Sequence, residues 1–553
     1  MLKDTDFTLK DLTKKDYKAQ YEPLISKLLL LQQEARTLDV GLVVLFEGFA
    51  AAGKGSRISD LIYNLDARMT RVINTPEIDR EAYRNFVLMH KDVKGMHPFL
   101  ESFWCDLNER GCATFFNRGW YTRALESVTF AASASKHLAD YTAEELYDAG
   151  VEAFTPLKDS IMAFEKQLAD DGYLVVKFFV DIRQETQAQR ITETYANPAQ
   201  RWRISPSKLE ELARFHEDNI FFTNAIKSTD TDYAPWIVLN GENVRASNLT
   251  IAQTLVSKLE ESIAAKRAEK EAAEAAKAAA ASAGTGENVE AEAVVNVSTE
   301  APKAPATSSF PTQKKYPTLD KVDYSLALDR KTYKAELKEL QARLGELQVR
   351  AYLRRIPLVI MYEGWDAAGK GGNIKRIAQA LDARAYTIFP SPAPTKTELE
   401  HPFLWRYWTR LPKAGHVGIY DRSWYGRVLV ERIEGFAKPH EWQRAYDEIN
   451  QFEHDLVKWG AVVVKFWVEI DQDEQLNRFN LRAQNPEKSW KLTDEDWRNR
   501  DKYPQYREAV EDMFRLTSTV EAPWTILESN DKLYARIKAL KTVIKALEKR
   551  LGE

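Results

Sequence analysis

Residues 362–372, which read YEGWDAAGKGG, contain the residue types that bind phosphate groups. Gly364, Gly369 and Lys370 fit the spacing G-x-x-x-x-G-K of a phosphate-binding loop, with an apolar run before it and a helix-forming segment after it. Such glycines let backbone N–H groups surround phosphate oxygens, and the helix N-terminus adds a partial positive charge. The remaining backbone of the predicted phosphate site comes from Ala367, Ala368, Gly371 and Gly372.

One position departs from the usual form of this loop. The residue after the lysine is ordinarily Ser or Thr, whose hydroxyl binds Mg²⁺, but here it is Gly371. The loop also contains an unusual acid, Asp366. We expect Asp366 to take over part of the magnesium and phosphate binding. The alternative is that Asp366 only caps the following helix and that Gly371 reflects tight packing.

A second candidate metal ligand, Asp421, ends an apolar strand of the same copy. In phosphate-loop proteins an acid at this place orders magnesium, so Asp366 and Asp421 would both reach a metal ion beside the phosphates. Arg422 and Arg427 lie five residues apart and could bracket a transferring phosphoryl group with their guanidinium groups. The alternative for Arg427 is an ion pair with Glu431 on a helix surface.

A third basic group follows the next predicted strand. Arg478 and Arg482 are four residues apart and share a helix face. The polar stretch 485–492, which contains Lys491, lies where kinases of this type carry a lid that closes over the phosphates. The alternative is a solvated loop with Trp490 packed beneath it. With this many cations, the site would suit a donor that has several phosphates in a row.

The chain contains the same domain twice. FEGFAAAGKG at 46–55 corresponds to YEGWDAAGKG at 362–371, and four further matches follow in the same order, ending with APWIVL at 234–239 and APWTIL at 522–527. Strands and helices alternate in each copy, which predicts an α/β fold with a parallel sheet covered on both faces. Ligands should bind at the carboxyl ends of the strands, where the phosphate loop lies.

The duplication and a change of composition predict three segments. Residues 1–262 form an N-terminal phosphate-loop domain, and residues 316–553 form the C-terminal catalytic domain. Residues 263–315 form an Ala-rich helix extension followed by a linker rich in Ser, Gly, Pro and acids, which we expect to be a disordered tether.

The first copy lacks residues that carry the predicted chemistry of the second. The positions of Asp366, Asp421 and Arg482 hold Ala50, Asn117 and Thr194. The loop glycines and several cations remain, namely Gly48, Gly53, Lys54, Arg118, Arg123 and Arg190. Without both acids the first copy should be unable to order Mg²⁺, so we expect it to be catalytically silent. It would then support the active copy structurally or hold a chain of several phosphates as a tether.

Bulk composition restricts the classes of partner. A net charge of −4 over 553 residues offers no general attraction to nucleic acid or to membranes, so we expect neither as a partner. The two cysteines, Cys105 and Cys112, exclude a disulfide framework and indicate a reducing compartment. The N-terminus is too charged for a signal peptide, and no apolar run approaches the length of a membrane span. We expect a cytoplasmic protein.

The motifs EGWDAAGKGG and DRSWYGRVLVERIEGF, with the later Arg478, Arg482 and Trp490-Lys491-Leu492, resemble the polyphosphate kinase type 2 family. The resemblance covers essentially the whole chain except the linker at 262–315, and the tandem form resembles the subgroup that phosphorylates AMP. It implies two tandem P-loop kinase-like three-layer αβα sandwiches with parallel sheets and helical lids. It also implies a reversible, Mg²⁺-dependent transfer of the terminal phosphate of polyphosphate to AMP, giving ADP.

The resemblance further implies roles for particular residues. Asp366 and Asp421 would handle the metal and the acceptor phosphate, whereas Lys370, Arg422, Arg427, Arg478, Arg482 and Lys491 would bind phosphates. We expect the catalytic set to be Asp366, Lys370, Asp421 and Arg422. The expected partners are inorganic polyphosphate, AMP or ADP, and a second copy of the chain in a homodimer.

Other functions stay open at this stage. The acceptor could be ADP or GDP, and an ATP-dependent nucleotide kinase would use the same loop architecture, although Gly371 and the additional basic helix argue against it. A non-catalytic phosphate-binding scaffold would suit the first copy alone. The preferred direction of the reaction and the length of the polyphosphate do not follow from the sequence.

Overall fold

Each copy of the repeat is built on one five-stranded sheet in the computed structural model. The structure describes residues 2–552 except 3, 4, 9, several positions between 80 and 92, and the ranges 136–142, 283–301 and 486–493. Among the described residues, the strands of the first copy are β1 (Gly41–Gly48), β2 (Thr70–Asn74), β3 (Ala113–Asn117), β4 (Tyr173–Asp181) and β5 (Trp236–Asn240). Those of the second copy are β6 (Leu358–Gly364), β7 (Tyr386–Pro390), β8 (Val417–Asp421), β9 (Val462–Glu469) and β10 (Trp524–Glu528).

The α-helices follow the strands in a repeated order. Those of the first copy are α1 (Lys14–Thr37), α2 (Lys54–Ile62), α3 (Glu101–Asp106), α4 (Trp120–Ser135), α5 (Ala143–Asp170), α6 (Gln184–Ala196), α7 (Pro206–Ala213), α8 (Phe215–Thr229) and α9 (Val244–Ser282). Those of the second copy are α10 (Arg330–Leu353), α11 (Lys370–Ala378), α12 (Lys396–Leu399), α13 (Trp405–Trp408), α14 (Val430–Ile433), α15 (Pro439–Trp459), α16 (Gln472–Ala483), α17 (Asp494–Asp501), α18 (Tyr503–Thr517) and α19 (Lys532–Leu551). None of the described helices is long and apolar enough to span a membrane.

The two sheets have the same topology. Their strand orders are β2-β3-β1-β4-β5 and β7-β8-β6-β9-β10, and all neighbouring strands are parallel. The strand before each phosphate loop, β1 or β6, is central and almost wholly buried because helices cover both faces of the sheet. The predicted α/β fold with parallel sheets is therefore confirmed.

The pairing of β6 with β8 brings the loop and the second predicted acid to one edge. The register aligns Tyr362 with Asp421, so Asp421 lies beside the start of the phosphate loop. This adjacency follows from parallel pairing, since strands of equal direction end at the same edge of the sheet.

Contacts between Cα atoms divide the chain into two compact units that differ in detail from the predicted domains. The first unit comprises Met1–Asn85, Ser102–Val297 and Leu399–Pro402, and the second comprises Phe86–Glu101, Ser298–Glu398 and Phe403–Glu553. In this division Phe86–Glu101 groups with the second unit and Leu399–Pro402 with the first, whereas the predicted boundaries at 262 and 316 place them the other way round. The grouping of these short segments depends on contacts between residues that are far apart in the sequence, and local composition does not reveal such contacts.

The segment between the repeats is ordered over part of its length. Helix α9 continues through the Ala-rich stretch to Ser282, whereas 283–301 lies outside the described residues. From residue 302 onward the prediction of disorder is wrong. Asp447 accepts hydrogen bonds from the hydroxyls of Ser308 and Ser309 at 2.7 Å, and Arg515 donates to the carbonyl of Pro305 at 3.0 Å. The segment whose polar composition suggested disorder thus forms tertiary hydrogen bonds through its serine hydroxyls and a backbone carbonyl.

Candidate active site

The phosphate loop of the second unit has a backbone that depends on its glycines. Gly364 has a φ of +147°, and a Cβ there would lie 2.4 Å from the carbonyl oxygen of Val468 on the neighbouring strand. Gly369, at φ +114°, precedes helix α11. Ala367 also has a positive φ, +63°. The loop therefore combines a close approach to β9 with left-handed turns, as the spacing of the motif predicts.

The structure contradicts both parts of the alternative explanation for the unusual loop residues. A Cβ at Gly371 would meet no atom within 4 Å, so packing does not require glycine there. The N-cap of α11 is Gly369 and has no side-chain cap, so Asp366 does not cap the helix. Packing does not explain why the residue after the lysine lacks a hydroxyl, so this loop differs in its chemistry from the usual phosphate loop. A Mg²⁺ ligand must come from elsewhere.

Lys370 is folded back onto its own loop. Its Nζ donates to the carbonyls of Gly364 at 2.6 Å and Trp365 at 3.2 Å. Burial lowers the pKa of Lys370, while Asp366 and Asp421 oppose this effect. Both acids that are predicted to bind metal thus favour the charged form of the Lys370 ammonium group.

Asp366 joins the loop to two other parts of the unit. Its Oδ1 accepts from the Arg422 guanidinium at 3.0 Å, and its Oδ2 accepts from Asn499 Nδ2 of helix α17 at 2.9 Å. Burial alone would raise the pKa of Asp366, but Lys370, Arg422 and Asn499 together hold the pKa below the usual value. The carboxylate is therefore kept charged in a largely buried place.

Asp421 offers the second carboxylate of the site. Ser391 N donates to its backbone carbonyl at 3.0 Å. Within the part of the chain that the structure describes, its carboxylate has no hydrogen-bond or ion-pair partner. Two carboxylates supplemented by substrate phosphate oxygens are a usual environment for Mg²⁺. The donor set formed by Asp366 and Asp421 fits such an ion.

The two arginines of the motif after β8 differ in their surroundings. Arg422, at φ +63°, donates its backbone N–H to the Tyr362 carbonyl at 3.0 Å, while its half-exposed guanidinium reaches Asp366. Arg427 pairs with Glu431 at 3.2 Å and lies over the ring of Phe403 at 4.7 Å. The alternative ion pair of Arg427 is thus confirmed, and its phosphate contact stays a prediction.

The structure corrects the role expected for Arg478. This side chain is 4% exposed, and its guanidinium donates to the loop carbonyls of Ala367 at 3.0 Å and Ala368 at 2.7 Å. Its other N–H groups donate to Glu474 and to the carbonyls of Ser529 and Asn530. All donors are engaged within the protein. Arg478 therefore holds the loop in shape and does not point at phosphate.

Arg482 and Lys491 are the remaining predicted phosphate ligands. Arg482 is partly exposed, and its guanidinium has no hydrogen-bond partner among the described residues, so its phosphate contact stays a prediction. Lys491 and Trp490 lie outside the described residues, so the prediction for them is unchanged. At Gly372, a Cβ would lie 3.2 Å from the guanidinium of Arg536.

Two buried carboxylates behind the loop were not identified from the sequence. Glu363 accepts from the backbone N–H of Ser423 at 2.7 Å and from its hydroxyl at 2.8 Å, which fixes the turn after β8. Glu469 accepts from the indole N–H groups of Trp365 and Trp467 and from the Tyr324 hydroxyl, and burial raises its pKa to about 7. Each acid lies at the end of an apolar strand, which is the signal that could have revealed it.

Helix α17 lies next to the phosphate loop, whereas 486–492 of the predicted lid stretch lie outside the described residues. Tyr506 donates its hydroxyl to Asn499 Oδ1 at 3.2 Å, which orients the amide of Asn499 toward Asp366. Tyr503 stacks on Trp365 with ring centroids 4.6 Å apart. The loop therefore shares a polar contact with α17 and an aromatic contact with α18, the helix that also carries Tyr506.

The first unit repeats the loop geometry without the acids. Lys54 donates to the carbonyls of Gly48 at 2.6 Å and Phe49 at 2.8 Å, as Lys370 does in the second unit. Positive φ angles recur at matching positions of the two units: Ala51 (+58°) matches Ala367, and Arg118 (+68°) matches Arg422. Asn117 donates to Asn74 at 2.8 Å, and no carboxylate stands at that position. The loop of the first unit thus has the same backbone shape but carries neither of the two acids predicted to bind metal.

Comparison with known proteins shows which family this loop geometry belongs to. The family model of Polyphosphate kinase 2 matches residues 11–267 and 327–553. The chain belongs to the polyphosphate kinase 2 family. The resemblance inferred from the loop and from the motif after β8 is confirmed, and both copies of the repeat are members.

Individual members of the polyphosphate kinase 2 family are similar at moderate identity. A Polyphosphate:AMP phosphotransferase of Pseudomonas aeruginosa is 35% identical over 95% of this chain and 94% of its own. A GDP-polyphosphate phosphotransferase of Mycolicibacterium smegmatis is 38% identical over 40% of this chain and 78% of its own. A crystal structure described as a polyphosphate kinase 2 of Pseudomonas aeruginosa has a TM-score of 0.75 at 32% identity and covers 100% of this chain and 99% of its own.

Proposed function

We propose that this chain transfers the terminal phosphate of inorganic polyphosphate to AMP, giving ADP, in its second unit. The observation that carries the proposal is the contact of Asp366 with Arg422 at 3.0 Å beside the phosphate-loop lysine, Lys370. The similarity to a Polyphosphate:AMP phosphotransferase over nearly the full length of both chains supports AMP as the acceptor.

The transfer requires little covalent chemistry from the protein. An oxygen of the AMP phosphate forms a bond to the terminal phosphorus of polyphosphate, and the bond from that phosphorus to its bridging oxygen breaks. The bonding electron pair leaves with the shortened polyphosphate. The loop N–H groups, Lys370 and Arg422 offset the negative charge of the transferring group, so catalysis rests on positioning and electrostatics.

Magnesium is part of this proposal. Asp366 and Asp421 would hold the ion, and when bound it neutralises charge on the phosphate oxygens. The two acids then have a second task. They repel phosphate oxygens that enter without a cation, and this makes metal-free binding of polyphosphate unfavourable. Activity should therefore disappear in EDTA and return on addition of Mg²⁺.

The deciding experiment is a matrix of donors and acceptors. The purified full chain is incubated with polyphosphate or ATP as sole donor, and with AMP, ADP or GDP as acceptor, and the products are separated by ion-exchange chromatography. We expect ADP from polyphosphate and AMP, and little product from ATP. Preferred formation of GTP from GDP would favour the specificity named for the half-length relative. Product formed with ATP as donor but not with polyphosphate would refute polyphosphate as the donor.

A homodimer in the cytoplasm completes the proposal. The composition and the two cysteines support this location, and a dimer of the duplicated chain would form an assembly of four domains. Light scattering of the purified chain and fractionation of cells would test these two points.

A further inference from the structure

The matching helices α7 (Pro206–Ala213) and α17 (Asp494–Asp501), here called the lid helices, differ at one position in a way that bears on phosphate binding. Asn499 on α17 and Glu211 on α7 lie 288 residues apart, the same separation as the matching APW sequences at 234 and 522. In the second unit Asn499 donates to the loop residue Asp366. In the first unit the loop residue is Ala50 and the lid residue is the acid. The negative charge has thus moved from the loop to the lid helix.

Glu211 enters the phosphate loop of its own unit. Its Oε1 accepts a hydrogen bond from the backbone N–H of Ala50, and Gln187 Nε2 approaches the same oxygen at 3.4 Å. Backbone N–H groups in a loop of this shape are the donors that hold phosphate oxygens. The carboxylate oxygen therefore lies where a phosphate oxygen would bind.

The charge of Glu211 also acts on the loop lysine. Burial lowers the pKa of Lys54 to about 8, and Glu211 is the neighbouring group that most strongly opposes this shift. In the second unit Asp366 has the same relation to Lys370. An acid from another element has thus taken over the electrostatic partnership of the lysine.

The clamp arginine of the first unit is neutralised as well. Arg118, which matches Arg422, pairs with Glu77 at 3.1 Å and with Glu126. The second copy has Val430 at the position of Glu126. In the first unit two internal carboxylates thus engage this arginine, whereas in the second unit Arg422 pairs with the loop acid Asp366.

We propose that the phosphate loop of the first unit is an oxyanion site that the Glu211 carboxylate occupies, so that it excludes the phosphate end of polyphosphate. This goes beyond the activity assigned to the second unit and does not depend on which nucleotide is the acceptor. It favours the structural role of the first unit over the role of a polyphosphate tether. The unit keeps a folded loop because its own carboxylate replaces the anion.

The test measures binding of tripolyphosphate to the full chain in which K370A and R422A have removed the second site. Isothermal titration calorimetry should find only weak binding with Glu211 present, and this gives the reference affinity. Both E211A, which vacates the site, and E211Q, which keeps the shape and removes the charge, should gain at least about tenfold in affinity, the effect of one charge-assisted contact. The matched control is E210Q, an exposed glutamate on the same helix, which should gain nothing. Adding K54A to E211A should abolish the gain.

Two results would overturn the proposal. The first is tight binding of tripolyphosphate by the background protein, since the loop would then be open despite Glu211. The second is a failure of both folded variants to gain binding, as judged with near-ultraviolet circular dichroism. If E211A does not fold, E211Q alone decides. Failure of the donor and acceptor assay would leave this result untouched, because binding is measured without turnover.

Discussion

Replacement of Arg478 by alanine separates support of the loop from binding of phosphate. The guanidinium of Arg478 donates to Glu474 and to four backbone carbonyls, two of which belong to the phosphate loop. The side chain is almost fully buried. R478A would leave these acceptors without a donor in a place that water does not reach freely.

The expected magnitude follows from this arrangement. Removal of one partner from a buried, charged hydrogen-bond network costs about 3–5 kcal/mol of unfolding free energy. For a domain of this size, 1 kcal/mol corresponds to about 2–4 °C in melting temperature, so R478A should lower the transition of the second unit by roughly 6–20 °C. R478K should fall between wild type and R478A because one ammonium group cannot reproduce the planar fork.

Calorimetry and steady-state kinetics test this prediction together. The matched control is R482A, four residues further along the same helix, where the guanidinium has no hydrogen-bond partner among the described residues. R482A should change the unfolding free energy by no more than about 0.5 kcal/mol. If R478A melted like wild type and only raised the KM for polyphosphate, the assignment of Arg478 to loop support would be refuted.

Three further predictions concern the acids and the core. D366N should lower turnover by about 10²–10³, the effect of removing one electrostatic group at a reacting phosphate, whereas K54A should leave most activity in the same assay. Burial raises the pKa of Glu469 from 4.5 to about 7. Its contribution to the free energy of unfolding, about 3 kcal/mol in total, is therefore complete below pH 4.5 and is lost as the pH rises through 7. E469Q should flatten this pH dependence of stability in urea titrations. K465M should destabilise by about 3–5 kcal/mol, since it leaves Glu453 buried without its ammonium partner at 2.7 Å.

The outcomes that contradict these predictions are distinct. Full turnover by D366N, or loss of turnover in a folded K54A protein, would reverse the assignment of the active copy. A pH dependence of stability that survives in E469Q would assign the titration to another group. For the core pair, the double variant of Lys465 to Met and Glu453 to Gln should recover much of the loss. No recovery would show that the ion pair is not the cause.

Several features of the site could be predicted because they depend on local spacing. The distances between Gly364, Gly369 and Lys370 along the chain specify a phosphate loop, since the turn and the helix start are formed by consecutive residues. The adjacency of Asp421 to this loop also followed from the sequence. Parallel strands that share a sheet end at one edge, and the register of Tyr362 with Asp421 agrees with that expectation.

Other features depended on contacts between distant segments. The spacing of Arg478 and Arg482 predicts a shared helix face, but it does not say that the guanidinium of Arg478 turns inward to the loop carbonyls. Likewise, the loss of Asp366 and Asp421 from the first copy was visible in the sequence. The entry of Glu211 into that copy's loop was not, because the two lie on separate elements.

The sequence by itself determined the duplication, the α/β class, the phosphate loops and the copy that holds both acids, because repeats, periodicity and motif spacing are all local. Only the tertiary structure decided which cations are already engaged by carbonyls and carboxylates of the protein itself. The physical reason is that a buried charge must find a partner, and the nearest partner is set by how helices pack over the sheet. Arg478 and Glu211 are the two side chains in which that requirement changed the functional interpretation.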